Sequence, residues 1–366
     1  LSNHDSISPS VMTLRTKMAT GTSNLSCLLY GPHDARFEER EVPVISDPHD
    51  VIIRIAYVGV CGSDVSPSNP LTMGHEASGT VHSVGSAVTT LSPNDNVCIE
   101  PGLPCSRCKS CKSGRYNLCP DMAFAASPGP GPATHGCLCA YYKLTEAFVY
   151  KLPKGVSLEE GVLVEPLAVA VHSIRLAEVK PGQKVVVFGA GPVGILSAAV
   201  ARQFGAVEVI SVDMNAARLD FVKDFAATGV FTPDTKADGA TNATAIVERF
   251  QLDRGADIVI EASGAEPCVQ IGIHVLAPGG TYVQTGCGKP NVMVPLTKLW
   301  EKEAVVKGCF RYGTGDFELA IGFLKDGKID VKKLISRTVA FEEAPNAWES
   351  VGRGEGIKTL IRGVQD

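Results

Sequence analysis

Short apolar runs alternate with longer helix-patterned segments from Lys184 to about Phe310. KVVVF (184–188) is a continuous apolar strand run, followed by GAGPVG and the apolar helix pattern ILSAAVARQFG. VEVISVD is a second strand and AARLDFVKDFAA a helix. ADIVIEASG, GGTYVQTG and AVVKGCF read as later strands. Strands alternating with helices predict an α/β unit with a doubly wound parallel sheet. Upstream, LSCLLYGPHDARFEER and DVIIRIAYVGV are short β-rich runs broken by turn residues, which predict an irregular β domain. Residues 103–134 are rich in Cys, Gly and Pro and read as a loop lobe. After residue 310 come the helix patterns DFELAIGFLKDG and EEAPNAWESVGRG, with the strand ISRTVAF between them. The boundaries fall near Leu167 and Phe310. Residues 25–167 and 311–366 would form one domain, with 168–310 inserted and 1–24 as a flexible leader.

The chain has 366 residues, 45% hydrophobic and 20% charged, which excludes a mainly disordered protein. The net charge of −5 disfavours a nucleic-acid or polybasic membrane-surface partner. The most apolar stretch, 185–201, is broken by Gly189, Gly191, Pro192 and Gly194 and is too short to span a bilayer. The leader is polar, with no apolar core of a secretory signal, so a cytoplasmic location is expected. The sequence begins at Leu1, so either a start is missing or translation begins at Met12 or Met18.

Twelve cysteines without a secretion signal point to metal ligation rather than disulfides. Cys105, Cys108, Cys111 and Cys119 fall in CSRCKSCKSGRYNLC, a spacing suited to one closed tetrahedral zinc that stabilises a lobe. An iron–sulfur cluster or four unlinked thiols are the other readings of that spacing. Cys27, Cys98, Cys137, Cys139, Cys268, Cys287 and Cys309 read as small buried hydrophobes, with Cys137 and Cys139 on one strand face. His172 reads as a satisfied core or interface histidine, and Trp300 and Trp348 as packing residues.

Gly189, Gly191 and Gly194 give G-x-G-x-x-G at a strand-to-helix turn, where helix N–H groups can receive a pyrophosphate. Asp213 ends the next strand, where an acidic group accepts from ribose hydroxyls and repels a 2′-phosphate. NAD is therefore expected over NADP. Arg218, about one turn further on, could stack or pair there. Cys61 in GVCGSD and His75 and Glu76 in GHEASG are zinc-ligand types. Three protein ligands with an open fourth position make the catalytic pattern.

The order GVCGSD, GHEASG, CSRCKSCKSGRYNLC, LVEPLAV, GAGPVG, KGCFRYG resembles the polyol branch of the zinc-dependent medium-chain alcohol dehydrogenase family over nearly the whole chain after residue 25. The resemblance implies a GroES-like irregular β catalytic domain beside a Rossmann domain. It implies one catalytic zinc on Cys61, His75 and Glu76 and one structural zinc on the four clustered cysteines. Glu165 would stand beside the catalytic metal and bind substrate, Ser63 would lie on a proton-relay path, and Arg311 and Tyr312 would hold substrate hydroxyls. Gly189, Gly191, Pro192, Val193, Gly194, Asp213, Arg218, Thr285, Gly286, Cys287, Cys309, Phe310 and Arg311 would line the cofactor. The implied reaction oxidises a secondary hydroxyl of a small polyol, xylitol to D-xylulose, with L-arabinitol and sorbitol as alternatives. The implied assembly is a homo-oligomer, a tetramer or a dimer through edge strands of the nucleotide domain.

One departure stands out. Only VSPSNPLTMG separates Asp64 from His75, and the segment is longer in the family and begins with a His-aromatic pair. A true deletion, a faulty gene prediction and a loop missing from the numbering are the competing explanations. Ten residues still span up to ~33 Å, enough for Cys61 and His75 to share a metal. A true deletion would open the pocket to water and leave a catalytically impaired relative that binds NADH. A zinc-free quinone reductase and a zinc-ribbon nucleic-acid module are further readings, opposed by the Cys61–His75–Glu76 set and by the acidic balance.

Overall fold

A parallel strand covered on both faces takes apolar residues at every position. Lys184–Phe188 fits: Val185, Val186, Val187 and Phe188 are all fully buried. The computed structural model describes residues 23–31, 33–64, 70–127 and 133–365. The first part of the chain holds β1 (Asn24–Gly31), β2 (Asp34–Arg40), β3 (Asp50–Gly59), β4 (Leu71–Thr72), β5 (Glu76–Val84), β6 (Asn96–Ile99), β7 (Gly102–Leu103), α1 (Lys109–Lys112), β8 (Ala123–Phe124), β9 (Tyr141–Thr145) and β10 (Val149–Lys151). Helices α2 (Leu158–Val162) and α3 (Val164–Ala177) lead into β11 (Lys184–Phe188), α4 (Pro192–Gln203), β12 (Glu208–Val212), α5 (Ala216–Phe225) and β13 (Gly229–Phe231). Then follow α6 (Gly239–Arg249), β14 (Ala256–Glu261), α7 (Glu266–Val275), β15 (Leu276–Gln284), α8 (Leu296–Glu301) and β16 (Val305–Gly308). The chain ends with α9 (Asp316–Lys325), β17 (Ile335–Val339), α10 (Ala344–Gly352) and β18 (Lys358–Arg362).

Strands β11 to β16 form a six-stranded sheet in the order β13-β12-β11-β14-β15-β16, with every pairing parallel. The strand order reverses between β11 and β14. Ligands of such sheets bind outside the carboxyl ends at that switch point. The glycine turn 189–194 lies there, directly after β11.

The other large sheet is mostly antiparallel, in the order β10-β6-β5-β3-β18-β17, with β9 also on β3. Its register builds a site. Gly59 at the end of β3 pairs with Glu76 at the start of β5, so the turn carrying Cys61 meets His75 and Glu76. Leu360 of β18 pairs with Gly59, which brings Lys358 past the end of β3. Helix α3 starts after a capping box in which Ser157 and Glu160 satisfy each other's backbone N–H groups at the start of α2. Its residues Leu167, Val171 and Ile174 share one core with Val185, Val187 and Phe317.

Some expectations are corrected. Cys137 and Cys139 do not share a strand face: Cys139 N–H donates to the Cys137 carbonyl, which turns the chain, and Cys139 makes only an isolated bridge to Ser26. Trp300 is not a packing residue within the chain, being 78% exposed. Cys287 is exposed because it follows the last residue of β15 on a loop. Among the described residues the first strand starts at Asn24, inside the expected leader, whose residues 1–22 lie outside them. Residues 65–69 of the short segment also lie outside them; Leu71 and Thr72 pair with β1. Among the described residues no helix is long and apolar enough to cross a membrane.

Candidate active site

The ligand atoms of Cys61, His75 and Glu76 all lie within 4.8 Å of one another. His75 and Glu76 are buried, and Cys61 is half-buried. Gly59 makes room for this: a Cβ there would lie 2.1 Å from Glu76 Oε2. The acidic groups outnumber the cations. Burial, then the neighbouring Glu76 charge, pushes the Cys61 thiol up to about 12. Burial pushes Glu165, at the start of α3, up to about 8, with Glu76 and Cys61 adding to the rise and His75 and Lys358 opposing it. Lys358, fully buried on β18, donates to both carboxylate oxygens of Glu76, at 2.8 and 2.5 Å, and to the Val60 carbonyl at 3.1 Å. Burial alone would lower its pKa, but the Glu76, Cys61 and Glu165 charges, with the hydrogen bond to Glu76, together outweigh it and raise it.

Asp64 shows the same excess. Its Oδ1 lies 3.4 Å from His75 Nδ1 and is buried without a hydrogen-bond partner, while Oδ2 accepts from Cys61 N–H and from Trp348 Nε1 at 3.2 Å. A thiol, an imidazole and a carboxylate converging in an under-compensated acidic pocket fit a zinc ion. Ser63 Oγ is 3.1 Å from Cys61 Sγ.

The four Sγ atoms of Cys105, Cys108, Cys111 and Cys119 form the second such cluster, also within 4.8 Å of one another. Backbone N–H groups of Arg107 and Cys108 pull the Cys105 thiol down to about 7, and Cys119 Sγ accepts from Cys105 N–H at 3.3 Å. Four converging sulfurs, with backbone donors favouring a thiolate, fit a closed tetrahedral site.

The glycine turn follows the requirements of a pyrophosphate cradle. Gly189 has φ +93°, and a Cβ on Gly194 would lie 1.8 Å from the Gly189 carbonyl oxygen. Pro192 opens α4, where its missing N–H costs nothing, and Val193 follows within the first turn. Asp213 closes over the turn, its Oδ2 accepting from Ala190 N–H at 2.6 Å and its Oδ1 from Asn215 N–H at 2.8 Å. Arg218 Nη2 donates to the Gly354 and Gly356 carbonyls, joining α5 to the C-terminal segment. Thr285 Oγ1 lies 2.9 Å from Ser173 Oγ, and a Cβ on Gly286 would meet Gly264 N at 2.4 Å.

Arg311 has φ +59°, and its guanidinium stacks 3.7 Å from the Phe124 ring centroid and 4.7 Å from that of Phe310. Phe124 packs in turn on the His75 ring at 5.6 Å. Burial lowers the Arg311 pKa, and the Glu165 charge opposes that. Tyr312 is buried edge-on against Phe317, with its hydroxyl unpartnered. Sequence reading missed Lys358, Asp64, Gly59 and Trp348. The lysine that opens the β18 run KTLIR was the available signal, since a strand lysine is rarely buried unless paired.

A parallel dinucleotide-type sheet joined to a Cys–His–Glu cluster and a four-cysteine lobe defines a metal-dependent dehydrogenase. The profile described as "Alcohol dehydrogenase GroES-like domain" matches residues 47–154, and "Zinc-binding dehydrogenase" matches 192–326. The chain is 52% identical over 359 residues to "Probable D-xylulose reductase A" of Aspergillus clavatus, covering 95% of this chain and 99% of that protein. It is 51% identical over 352 residues to D-xylulose reductase A of Aspergillus oryzae, covering 93% and 97%. Among solved structures it is similar to an Escherichia coli oxidoreductase/dehydrogenase of unknown specificity, with TM-score 0.87, 32% identity and coverage of 94% and 100%. The chain belongs to the zinc-dependent alcohol dehydrogenase family and is an oxidoreductase.

Proposed function

We propose that the protein is a zinc- and NAD-dependent polyol dehydrogenase that interconverts xylitol and D-xylulose. The observation that carries this reading is the convergence of Cys61, His75 and Glu76 beside Glu165, in a chain half-identical to proteins named D-xylulose reductase. Cys61, His75 and Glu76 hold the catalytic zinc, and Cys105, Cys108, Cys111 and Cys119 a structural one. Bound there, zinc would supply Lewis-acid polarisation of a substrate oxygen, and the nicotinamide would supply the hydride acceptor or donor.

The chain's own groups do the rest. Buried Glu165 lies where a substrate hydroxyl or its water can exchange a proton with it. Ser63, beside Cys61, offers the first hydroxyl of a path outward. The Arg311 guanidinium and the unpartnered Tyr312 hydroxyl bind substrate hydroxyls; a neutral polyol gives Arg311 acceptors rather than an ion-pair partner. Gly189, Gly191, Pro192, Val193 and Gly194 face the pyrophosphate, and Asp213 favours NAD over NADP. Arg218, Thr285, Gly286, Cys287, Cys309, Phe310 and Arg311 line the rest of the cofactor.

Residues 25–167 and 311–366 act as the catalytic domain and 168–310 as the nucleotide domain. The open edge of β16, with Val306 at 52% and nearby Trp300 at 78% exposure, suits a second copy of the chain. A cytoplasmic location completes the reading.

The test is NADH absorbance on zinc-quantified protein with xylitol, L-arabinitol and sorbitol, using NAD and NADP in parallel. NAD-linked turnover that favours xylitol, with about two zincs per chain, supports the reading. L-arabinitol or sorbitol as the best substrate would reassign the substrate. NADH binding with no turnover on any polyol would overturn the enzyme assignment and implicate the short 65–74 segment.

A further inference from the structure

We propose that Asn117, inside the four-cysteine lobe, is a positioning residue for Arg311. The proposal rests on the reading of Arg311 as a substrate-binding group. Arg311 holds φ +59°, a left-handed conformation that a long side chain adopts only when its surroundings impose it. Relaxing to a negative φ would swing the guanidinium off Phe124 and away from Glu165.

The segment around it is tied at three points. Upstream, Cys309 N–H donates to the Gln284 carbonyl at 2.8 Å. Downstream, buried Asp316 accepts from Gly313 N–H at 2.7 Å and from Arg175 at 2.6 Å, and it lies 2.7 Å from His172 Nδ1. Between these, the peptide that joins Phe310 to Arg311 sets the unusual φ. Its carbonyl accepts from Asn117 Nδ2 at 2.9 Å. Asn117 is 7% exposed, in the short turn Tyr116–Leu118 between Cys111 and Cys119.

Packing on the Phe310 side is incomplete. The Phe310 side chain is 48% exposed, and a cleft of about 420 Å³ lies at the junction of the lobe, α3 and this segment. A second link runs the same way: Thr314 Oγ1 donates to the Gly114 carbonyl at 3.0 Å. The cysteine lobe thus clasps the turn that presents Arg311, and it bears on substrate recognition as well as on local stability.

The test uses full-length, zinc-loaded enzyme and the variants Asn117→Asp, which keeps size but removes the donor, Arg311→Ala, and the double variant. Asn117→Asp should raise the KM for xylitol about five- to tenfold, the range of one lost buried hydrogen bond, with a much smaller change in kcat. Zinc content should stay at the wild-type value, and the melting temperature should fall by only about 2–4 °C, the scale of one lost hydrogen bond. In the Arg311→Ala background, Asn117→Asp should add no further loss. Wild-type KM in Asn117→Asp, or an equal loss with and without Arg311, would overturn the proposal. An Arg311→Ala enzyme with unchanged KM would instead remove the reading of Arg311 on which it rests, and that single variant reveals it.

Discussion

Lys358 places its ammonium between the two carboxylate oxygens of Glu76, at 2.8 and 2.5 Å, with both side chains almost wholly out of water. A buried ion pair missing one member leaves an uncompensated charge, which costs ~3–5 kcal/mol. Lys358→Met should lose about that much stability in chelator-treated protein and clearly less in zinc-loaded protein, because a metal cation at Glu76 replaces the lost charge. Urea unfolding of both forms reads the difference. Equal losses would mean that no cation reaches Glu76.

Gly59 is the space that lets the Glu76 carboxylate lie where it does. A Cβ added there meets Oε2 at 2.1 Å and Val162 Cγ1 at 2.9 Å. Gly59→Ala should shift the carboxylate and lower zinc affinity about tenfold or more, the usual scale for groups that orient a ligand. Competition with a chromogenic chelator measures it, and wild-type affinity would show that Glu76 is not a ligand.

Trp348 joins the C-terminal helix α10 to the site through its 3.2 Å bond to Asp64, which faces His75. Trp348→Phe keeps most of the packing and removes the donor. It should cost ~1 kcal/mol of stability and speed zinc release to a chelator. Unchanged release would leave Trp348 with a packing role alone.

Gly194 permits the close approach of α4 to β11. A Cβ would stand 1.8 Å from the Gly189 carbonyl oxygen, so Gly194→Ala must displace the helix start. NADH affinity, followed by fluorescence, should fall at least about tenfold while zinc content holds. Unaltered affinity would remove this turn from the cofactor site.

Glu100 gives a pH signature. Burial pushes its carboxyl up to about 7, although the Tyr116 and Tyr150 hydroxyls both donate to it; the Glu318 and Asp316 charges add to the rise. The folded state therefore binds this proton more tightly than the unfolded chain. The stability it supplies is present below the ordinary carboxylate range and is lost as pH rises toward about 7. The loss amounts to about 3 kcal/mol at most. Glu100→Gln should flatten this fall, so variant and wild type diverge between about pH 4.5 and 7 in denaturant unfolding. Parallel curves would mean that Glu100 keeps an ordinary pKa.

Local chemistry alone determined much of this protein. The β-branched run 184–188, the glycine spacing at 189, 191 and 194 and the alternation that follows specify a parallel sheet, because strand propensity, turn geometry and helix periodicity act over short stretches. The four-cysteine spacing made that lobe legible for the same reason. Cys61, His75 and Glu76 could be named as candidates, but only the β3–β5 register, Gly59 against Glu76, brings them together.

Nothing near residue 76 announces Lys358, which is 282 positions away and arrives only because β18 pairs with β3. Trp348 on Asp64 and Asn117 on the Phe310 carbonyl are of the same kind. Residues such as Trp300 and Cys287, expected inside, are outside because burial depends on what a completed fold sets against a side chain, not on its polarity. Ligand types and turn geometry are written locally in the chain. The partners that charge, hold and aim those ligands come from distant segments, and only tertiary pairing selects them.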